Sequence, residues 1–316
     1  MKPLESIFNL WLPSPLQPMP ADDFFPGSNA VFIKRDDLIH HFFSGNKYRK
    51  IKYNYQEFLR GNHSEIIAFG GAFSNLLYTL SFLSPRAEIP MTFYIRGDGY
   101  DASNPTLHTI HRNGVRMQFI DRETYRSKKE SGLVSDLKKL HPDAYFVPDG
   151  GSNTLAVKGA AEIVTELRDQ LGFNPDHIVM DIGTAGTFCG VMQALPENTH
   201  LTGIPVLKGV NWEKTFMDVM GQPGFLPNLD RITIMEDYHF GGFAKFNATL
   251  IRFVNDFSLR YGMPVDPVYT GKLFFALTDL LKNNYFGNGK TIICIHGGGS
   301  QGIAGFNYLH GPLINT

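Results

Sequence analysis

The chain has 316 residues, enough for two domains or one large α/β unit with a proper core. Hydrophobic residues make up 43 % and charged ones 19 %, a globular composition that argues against disorder. Lysine plus arginine number 29 and aspartate plus glutamate 30, so a net charge of −1 gives no electrostatic footprint for nucleic acid or an anionic membrane.

The first twenty residues hold five prolines and no apolar core of a secretory signal. Short β-branched or aromatic runs then predict strands at 31–34, 65–70, 91–96, 116–120, 144–147, 177–183, 201–206 and 291–295. Helical apolar spacing fills most intervals between them. In 155–171 it puts Leu155, Ala160, Ile163, Val164, Leu167 and Leu171 on one side, and a second such stretch is 243–261. This alternation predicts βαβ units and parallel sheet with helices on both faces. Residues 66–85 carry no charge, but "GGAFSN", Thr79 and Ser81 interrupt them, so they predict a strand, loop and helix rather than a membrane span. The two cysteines, Cys189 and Cys294, cannot make a disulfide framework, and a reducing cytoplasm is the expected compartment.

Ligands of open parallel sheets sit beyond the carboxyl ends of the strands. Four glycine-rich stretches follow predicted strands: "GGAFSN" (70–75), "DGGSN" (149–153), "GTAGT" (183–187) and "HGGGSQG" (296–302). Glycine also serves plain turns, so any one of them reads equally as structure. Four at one edge predict a ligand crevice. "GTAGT" opens a short helix near Gly186, where converging N–H groups and the helix dipole favour an anion such as phosphate. It is neither G-x-G-x-x-G nor G-K-[ST], which disfavours Rossmann dinucleotide and Walker nucleotide sites.

"SGNKYRKIKYN" (44–54) fences Lys47 with Ser44, Gly45 and Asn46 before Arg49, Lys50 and Lys52. With Ser44 as N-cap, Lys47 falls in the first helical turn, where the dipole and nearby cations favour the neutral amine. Alone, the same residues suit a solvated basic helix. Beside a phosphate loop they suit a nucleophilic amine for an aldehyde bearing a phosphate, which is pyridoxal 5′-phosphate (PLP). Ser74 and Asn75 sit at a strand-to-helix turn, as an N-cap pair or a carboxylate site. Tyr269 and Thr270 enter a later helix, where a tyrosine whose pKa the cofactor lowers can carry a proton. The histidines lack H-x-x-x-H spacing and the cysteines are unpaired, which argues against a metal site.

In order along most of the chain, "FIKRDDL", "SGNKYRK", "GGAFSN", "VPDGGSN", "GTAGT", "DPVYTGK" and "HGGG" resemble the fold-type II PLP enzymes. Within them they resemble the 1-aminocyclopropane-1-carboxylate deaminase/D-cysteine desulfhydrase family. The resemblance implies an α/β fold of two domains, each an open, mostly parallel twisted sheet flanked by helices, with PLP in the cleft between them. Residues 1–49 and 150–316 would form the large PLP-binding domain, and 50–149 a small inserted α/β domain. Lys47 would be the Schiff-base lysine, and Gly183, Thr184, Ala185, Gly186 and Thr187 would hold the phosphate. Asn75 would contact the ring oxygen, Ser74 and the backbone of Asn75 and Leu76 the substrate carboxylate. Tyr269 would be the active-site tyrosine, with Thr270 facing the pyridine nitrogen.

Three positions depart from the family's pattern. Leu76 stands where it usually has His or Gln, Phe243 where it often has a second tyrosine, and Thr270 where authentic cyclopropane-opening deaminases have Glu. The expected function is a deaminase or lyase turning a small amino acid, like D-cysteine or 1-aminocyclopropane-1-carboxylate, into a 2-keto acid and ammonia, with sulfide from D-cysteine. The alternatives are a β-replacement enzyme of the cysteine-synthase kind and a non-catalytic PLP binder. The expected partner is a small amino acid, with no nucleic acid or membrane, and the expected assembly is a homodimer.

Overall fold

The computed structural model describes residues 2–43, 45–128, 131–221 and 229–315, so Ser44, read above as a helix cap, lies outside the described residues. The described strands are β1 (Leu16–Pro18), β2 (Ala30–Arg35), β3 (Glu65–Gly71), β4 (Met91–Arg96), β5 (Arg116–Ile120), β6 (Ala144–Val147), β7 (His177–Ile182), β8 (His200–Pro205), β9 (Ile232–Ile234) and β10 (Thr291–His296). They form a six-stranded sheet in the order β1-β2-β10-β7-β8-β9 and a four-stranded sheet in the order β5-β4-β3-β6. All neighbours pair in parallel except β1 with β2. The eight predicted strands are present with ends within about a residue. The two that the pattern missed, β1 and β9, are three-residue edge strands, too short for a period to register.

Central strands here are apolar almost throughout because helices cover both faces. In β10 every residue from Ile292 to His296 is buried. One of the covering helices is Thr154–Leu171, as its spacing predicts. Asn153 caps it by accepting from the Ala156 N–H at 2.9 Å, and Gly172, at φ 77°, ends it. The second expected helix starts later, at Ala248. Gly241 and Gly242 take φ of 97° and 120° before it, and Phe240 and Ala244 lie at φ 55°, so the backbone there is a compact turn. Lys272 ties this turn down by donating to the carbonyls of His239 and Gly242, both at 2.8 Å. No described helix is long and apolar enough to cross a membrane.

The helix Gly45–Arg60 runs from one sheet system to the other. Tyr48, Ile51, Tyr55 and Phe58 pack into the core on one face of the four-stranded sheet. Its other side meets the helix Thr154–Leu171 so closely that a Cβ on Gly159 would lie 2.0 Å from the Arg49 carbonyl oxygen. A buried polar knot holds this crossing. Arg49 donates to Asp36 at 2.9 Å and to Glu166 at 2.6 Å, and Lys34 reaches Glu166 at 2.7 Å. The Ser14 hydroxyl donates to Asp36 at 2.6 Å. Removing one member of such a knot strands the others away from water. Arg49→Met is therefore expected to cost about 3–5 kcal/mol of folding free energy in urea denaturation. A cost under about 1 kcal/mol would show that the knot is solvated.

Candidate active site

The loops after β3, β7 and β10 and the segment after β6 open on one cavity of about 790 Å³ between the two sheets. Lys47, Ser74, Asn75, Leu76, Gly183, Thr184, Ala185, Thr187, Phe243 and Tyr269 line it, and Lys47, Asn75 and Tyr269 also face a narrow annex of about 40 Å³. The fold thus brings together ten residues that lie in five stretches of sequence. Of the residues singled out, Gly186 and Thr270 are not on the wall.

Gly45 explains the small residues before Lys47. It sits at φ 64°, and a Cβ there would lie 2.2 Å from the Gly297 carbonyl oxygen. The Asn46 N–H donates to that same carbonyl at 2.9 Å. The chain between β2 and the helix is thereby seated on the "HGGGSQG" loop, with Lys47 in the first helical turn and its amine donating to the Asn46 side chain.

The 183–187 loop turns through Ala185 in the left-handed region, at φ 62°, directly before the helix Gly186–Gln193. The first N–H groups of a helix have no partner within it. Thr187 Oγ1 is buried with no hydrogen-bond partner among the described residues. Lys50, one turn after Lys47, donates to Thr184 Oγ1, Ser152 Oγ and the Gly150 carbonyl, each at 3.1 Å. The Gly186 N–H itself donates to the Thr184 carbonyl at 2.9 Å. A buried amine with only neutral acceptors, beside an unpaired hydroxyl at a helix start, suits a phosphate.

Ser74 caps the helix Asn75–Ser81, its hydroxyl accepting from the Leu77 N–H at 3.3 Å. The Asn75 side-chain oxygen accepts from Gln301, which also lies 3.3 Å from Thr106 Oγ1. Tyr269 packs its ring against the phosphate-type loop, since a Cβ on Gly183 would stand 3.0 Å from Tyr269 Cε1. Phe243 meets Tyr269 edge-on, with centroids 6.0 Å apart, and is 48 % exposed. Leu76 is buried and lines the cavity next to Ser74 and Asn75. The Thr270 hydroxyl is occupied elsewhere. It donates to Asp266 at 2.8 Å, inside a cap in which Asp266 also accepts from the N–H groups of Val268 and Tyr269. Asp266, not Thr270, reaches the cavity wall.

Burial lowers the Lys47 amine to about 8, against the pull of Asp181 and Asp266. Lys50 falls well below the usual lysine range through burial and then the Lys47 charge. The Asp181 carboxyl is pushed up to about 6 by burial, then by Asp266. Tyr269 moves opposite to the expectation drawn from the cofactor's charge. Burial first, then Asp266 and Asp181, raises its phenol above the ordinary range, so the protein by itself keeps it protonated at neutral pH.

Four residues escaped the sequence reading: Lys50 as a loop partner, Asp181, Asp266 and Gln301. Lys50 had a signal, because a residue three positions on shares the helix face of Lys47. The two aspartates had none, being single acids in a strand and a loop. His296, by contrast, is buried at the end of β10, accepting from the Gly298 N–H at 3.2 Å and facing the Pro264 carbonyl at 3.3 Å, away from the cavity. No group of three metal-ligating side chains occurs among the described residues.

Residues 7–298 match the pyridoxal-phosphate dependent enzyme family. A Pyrococcus furiosus protein named for 1-aminocyclopropane-1-carboxylate deaminase is 27 % identical over 305 residues, covering 93 % of this chain and 91 % of that one. A bifunctional D-cysteine desulfhydrase/1-aminocyclopropane-1-carboxylate deaminase of Arabidopsis thaliana is 27 % identical over 300 residues, covering 88 % of this chain and 74 % of the relative. The crystal structure of an ACC deaminase homologue shares the fold with a TM-score of 0.78 at 24 % identity, covering 95 % of this chain and 94 % of that one. With the family match spanning nearly the whole chain and the deaminase and desulfhydrase relatives alongside it, this protein belongs to the pyridoxal-phosphate dependent enzymes and is PLP-dependent.

Proposed function

We propose that the protein is a PLP-dependent deaminase/lyase of small amino acids, with D-cysteine-like substrates favoured over 1-aminocyclopropane-1-carboxylate. The observation that carries this reading is the meeting of Lys47, the Ser74–Asn75 turn and Tyr269 on one cavity whose other two family positions, Leu76 and Phe243, are apolar. When bound, PLP supplies an electron sink for negative charge at the substrate's Cα.

Lys47 would hold the cofactor through its aldehyde carbon, and its amine stands to take the proton from the substrate's Cα. Its lowered pKa leaves a useful fraction neutral near pH 7. The N–H groups at the 183–187 turn, with Thr184, Thr187 and Lys50, hold the phosphate. Gly186 permits the turn without lining the cavity. Asn75 contacts the ring oxygen and is oriented by Gln301. Ser74 with the backbone of Asn75 and Leu76 takes the substrate carboxylate. Asp266, which Thr270 positions, is the polar group toward the ring in place of Thr270 itself. Tyr269, protonated, delivers a proton to the departing group. Departure of the β-substituent and hydrolysis of the enamine give the 2-keto acid and ammonia, with sulfide from D-cysteine.

Thiols leave easily from Cβ, whereas cyclopropane opening demands more proton transfer from a site that has lost a phenol to Phe243. Purified holoenzyme is expected to release pyruvate from D-cysteine or β-chloro-D-alanine and to act weakly or not at all on 1-aminocyclopropane-1-carboxylate. Tyr269→Phe should lower turnover on the order of 10²-fold with PLP still bound. Efficient cyclopropane deamination with D-cysteine inert would sink the substrate assignment. Full activity in Tyr269→Phe would remove the tyrosine's role.

The division of the chain into a large unit (1–49 and 150–316) and a small inserted one (50–149) belongs to this proposal. It is supported by the four-stranded sheet drawing all its strands from 65–147, with Leu4 and Phe8 of the flanking chain packed on its core. The homodimer rests on the family resemblance. A cytoplasmic setting is supported by Cys189 and Cys294, both buried and unpaired.

A further inference from the structure

The cavity runs past the carboxylate turn to the carboxyl end of β4, where Arg96, Arg122 and Tyr125 form part of its wall. Arg96 is the register partner of Gly71, three residues before Ser74. Its guanidinium lies against that loop, because a Cβ on Gly71 would be 3.4 Å from an Arg96 terminal nitrogen. It also stands 5.6 Å from the centre of the Tyr125 ring, over its face. The nearby acid is already matched. Asp149 pairs with Lys128 at 2.7 Å and accepts from the Tyr125 hydroxyl. Among the described residues neither Arg96 nor Arg122 has an ion pair or side-chain hydrogen bond. Both arginines are exposed, so they line the cavity at its open side as solvated cations with no acid paired to them among the described residues. A guanidinium fork is the side chain best shaped for carboxylate, sulfonate or phosphate. Neither arginine is needed for cofactor or α-carboxylate, which the 183–187 and 74–76 turns serve.

We infer that Arg96 and Arg122 form a second anion subsite, selecting amino acids whose β-substituent ends in a carboxylate, sulfonate or phosphate. This rests on the proposed elimination chemistry. Loss of the Cα proton and cleavage of the Cβ–heteroatom bond send the electron pair out with the anionic leaving group. One water then converts the aminoacrylate into pyruvate and ammonium. With O-phosphoserine the products are pyruvate, ammonium and phosphate; with S-sulfocysteine, thiosulfate replaces phosphate. The arginines orient the leaving group and exert their preference through binding, so the effect falls mainly on KM.

The test compares kcat/KM of the holoenzyme for O-phosphoserine and S-sulfocysteine, each as D and L forms, with that for D-cysteine. At least one anionic compound should exceed D-cysteine in the wild type. Arg96→Gln should lower that preference ratio by tenfold or more through KM, Arg122→Gln should act in the same direction, and Arg96→Lys should restore part of it. A ratio below one in the wild type, or unmoved in both glutamine variants, overturns the subsite. A second measurement removes turnover from the question. Calorimetry on borohydride-reduced holoenzyme should find O-phosphoserine binding more tightly than serine, with the difference lost in Arg96→Gln. Equal binding of the two overturns the subsite even where D-cysteine is a good substrate. Inert D-cysteine with the binding difference intact removes only the proposed reaction.

Discussion

Lys47→Ala is expected to abolish covalent cofactor attachment and to lower turnover on the order of 10³-fold or more, the loss that follows removal of a nucleophile acting at the reacting centre. Borohydride reduction of the wild-type holoenzyme, followed by peptide mapping, should place the pyridoxyl label on Lys47. Lys50 is the rival, since it is buried in the same wall. Its amine, however, is held by three oxygen acceptors, the Gly150 carbonyl and Ser152 hydroxyl of the segment after β6 and the Thr184 hydroxyl of the 183–187 loop. A label on Lys50, Lys158, Lys208 or Lys272 would overturn the assignment. The pH dependence has a definite sign. Burial lowers the Lys47 amine to about 8, so its neutral fraction in the apoprotein rises as pH approaches 8 and then saturates. The rate of PLP capture should climb about tenfold per pH unit below that point and level off near it, instead of climbing on toward the pKa of an exposed lysine at about 10.4. A rate that keeps rising to pH 10 would mean the reacting amine is not buried.

Gly186→Asp should strip the protein of PLP. A Cβ at this position would lie 2.6 Å from Ser152 Oγ and 3.1 Å from Lys50 Cε, and the added carboxylate would compete with a phosphate for the Lys50 ammonium. Both bulk and charge act, and Gly186→Asn separates them by keeping the bulk without the charge. The expected order of retained PLP, by cofactor stoichiometry with circular dichroism to verify folding, is wild type, then Gly186→Asn, then Gly186→Asp near zero. Stoichiometric PLP in a folded Gly186→Asp protein would put the phosphate elsewhere.

The arrangement of elements was legible in the sequence because parallel strands buried on both faces are continuous apolar runs, and the helices between them carry a clear 3.6-residue spacing. That Lys47, Ser74, Asn75 and most of the 183–187 loop line one cavity was legible for a related reason. Each sits at a strand-to-helix turn, where small residues mark a backbone that must open toward a ligand. Such marks are local, so they survive in one dimension. The late start of the helix at Ala248 was not legible, because a lysine from another helix, Lys272, holds the preceding glycine turn in place. That Asp266 rather than Thr270 lines the cavity depended on the capping turn, a matter of side-chain direction within four residues. Tyr269 was legible as a position but not in its protonation. Burial in the cleft raises the phenol first, and then the neighbouring Asp266 and the distant Asp181, which only the fold brings to it. Arg96 and Arg122 carry no motif at all, and only the pairing of β3 with β4 sets Arg96 beside the Ser74 turn. Composition and period thus determine layers and turns. Which charges face each other across the cleft is decided by contacts between segments far apart in the chain, whose energies depend on burial and distance and leave no pattern in sequence order.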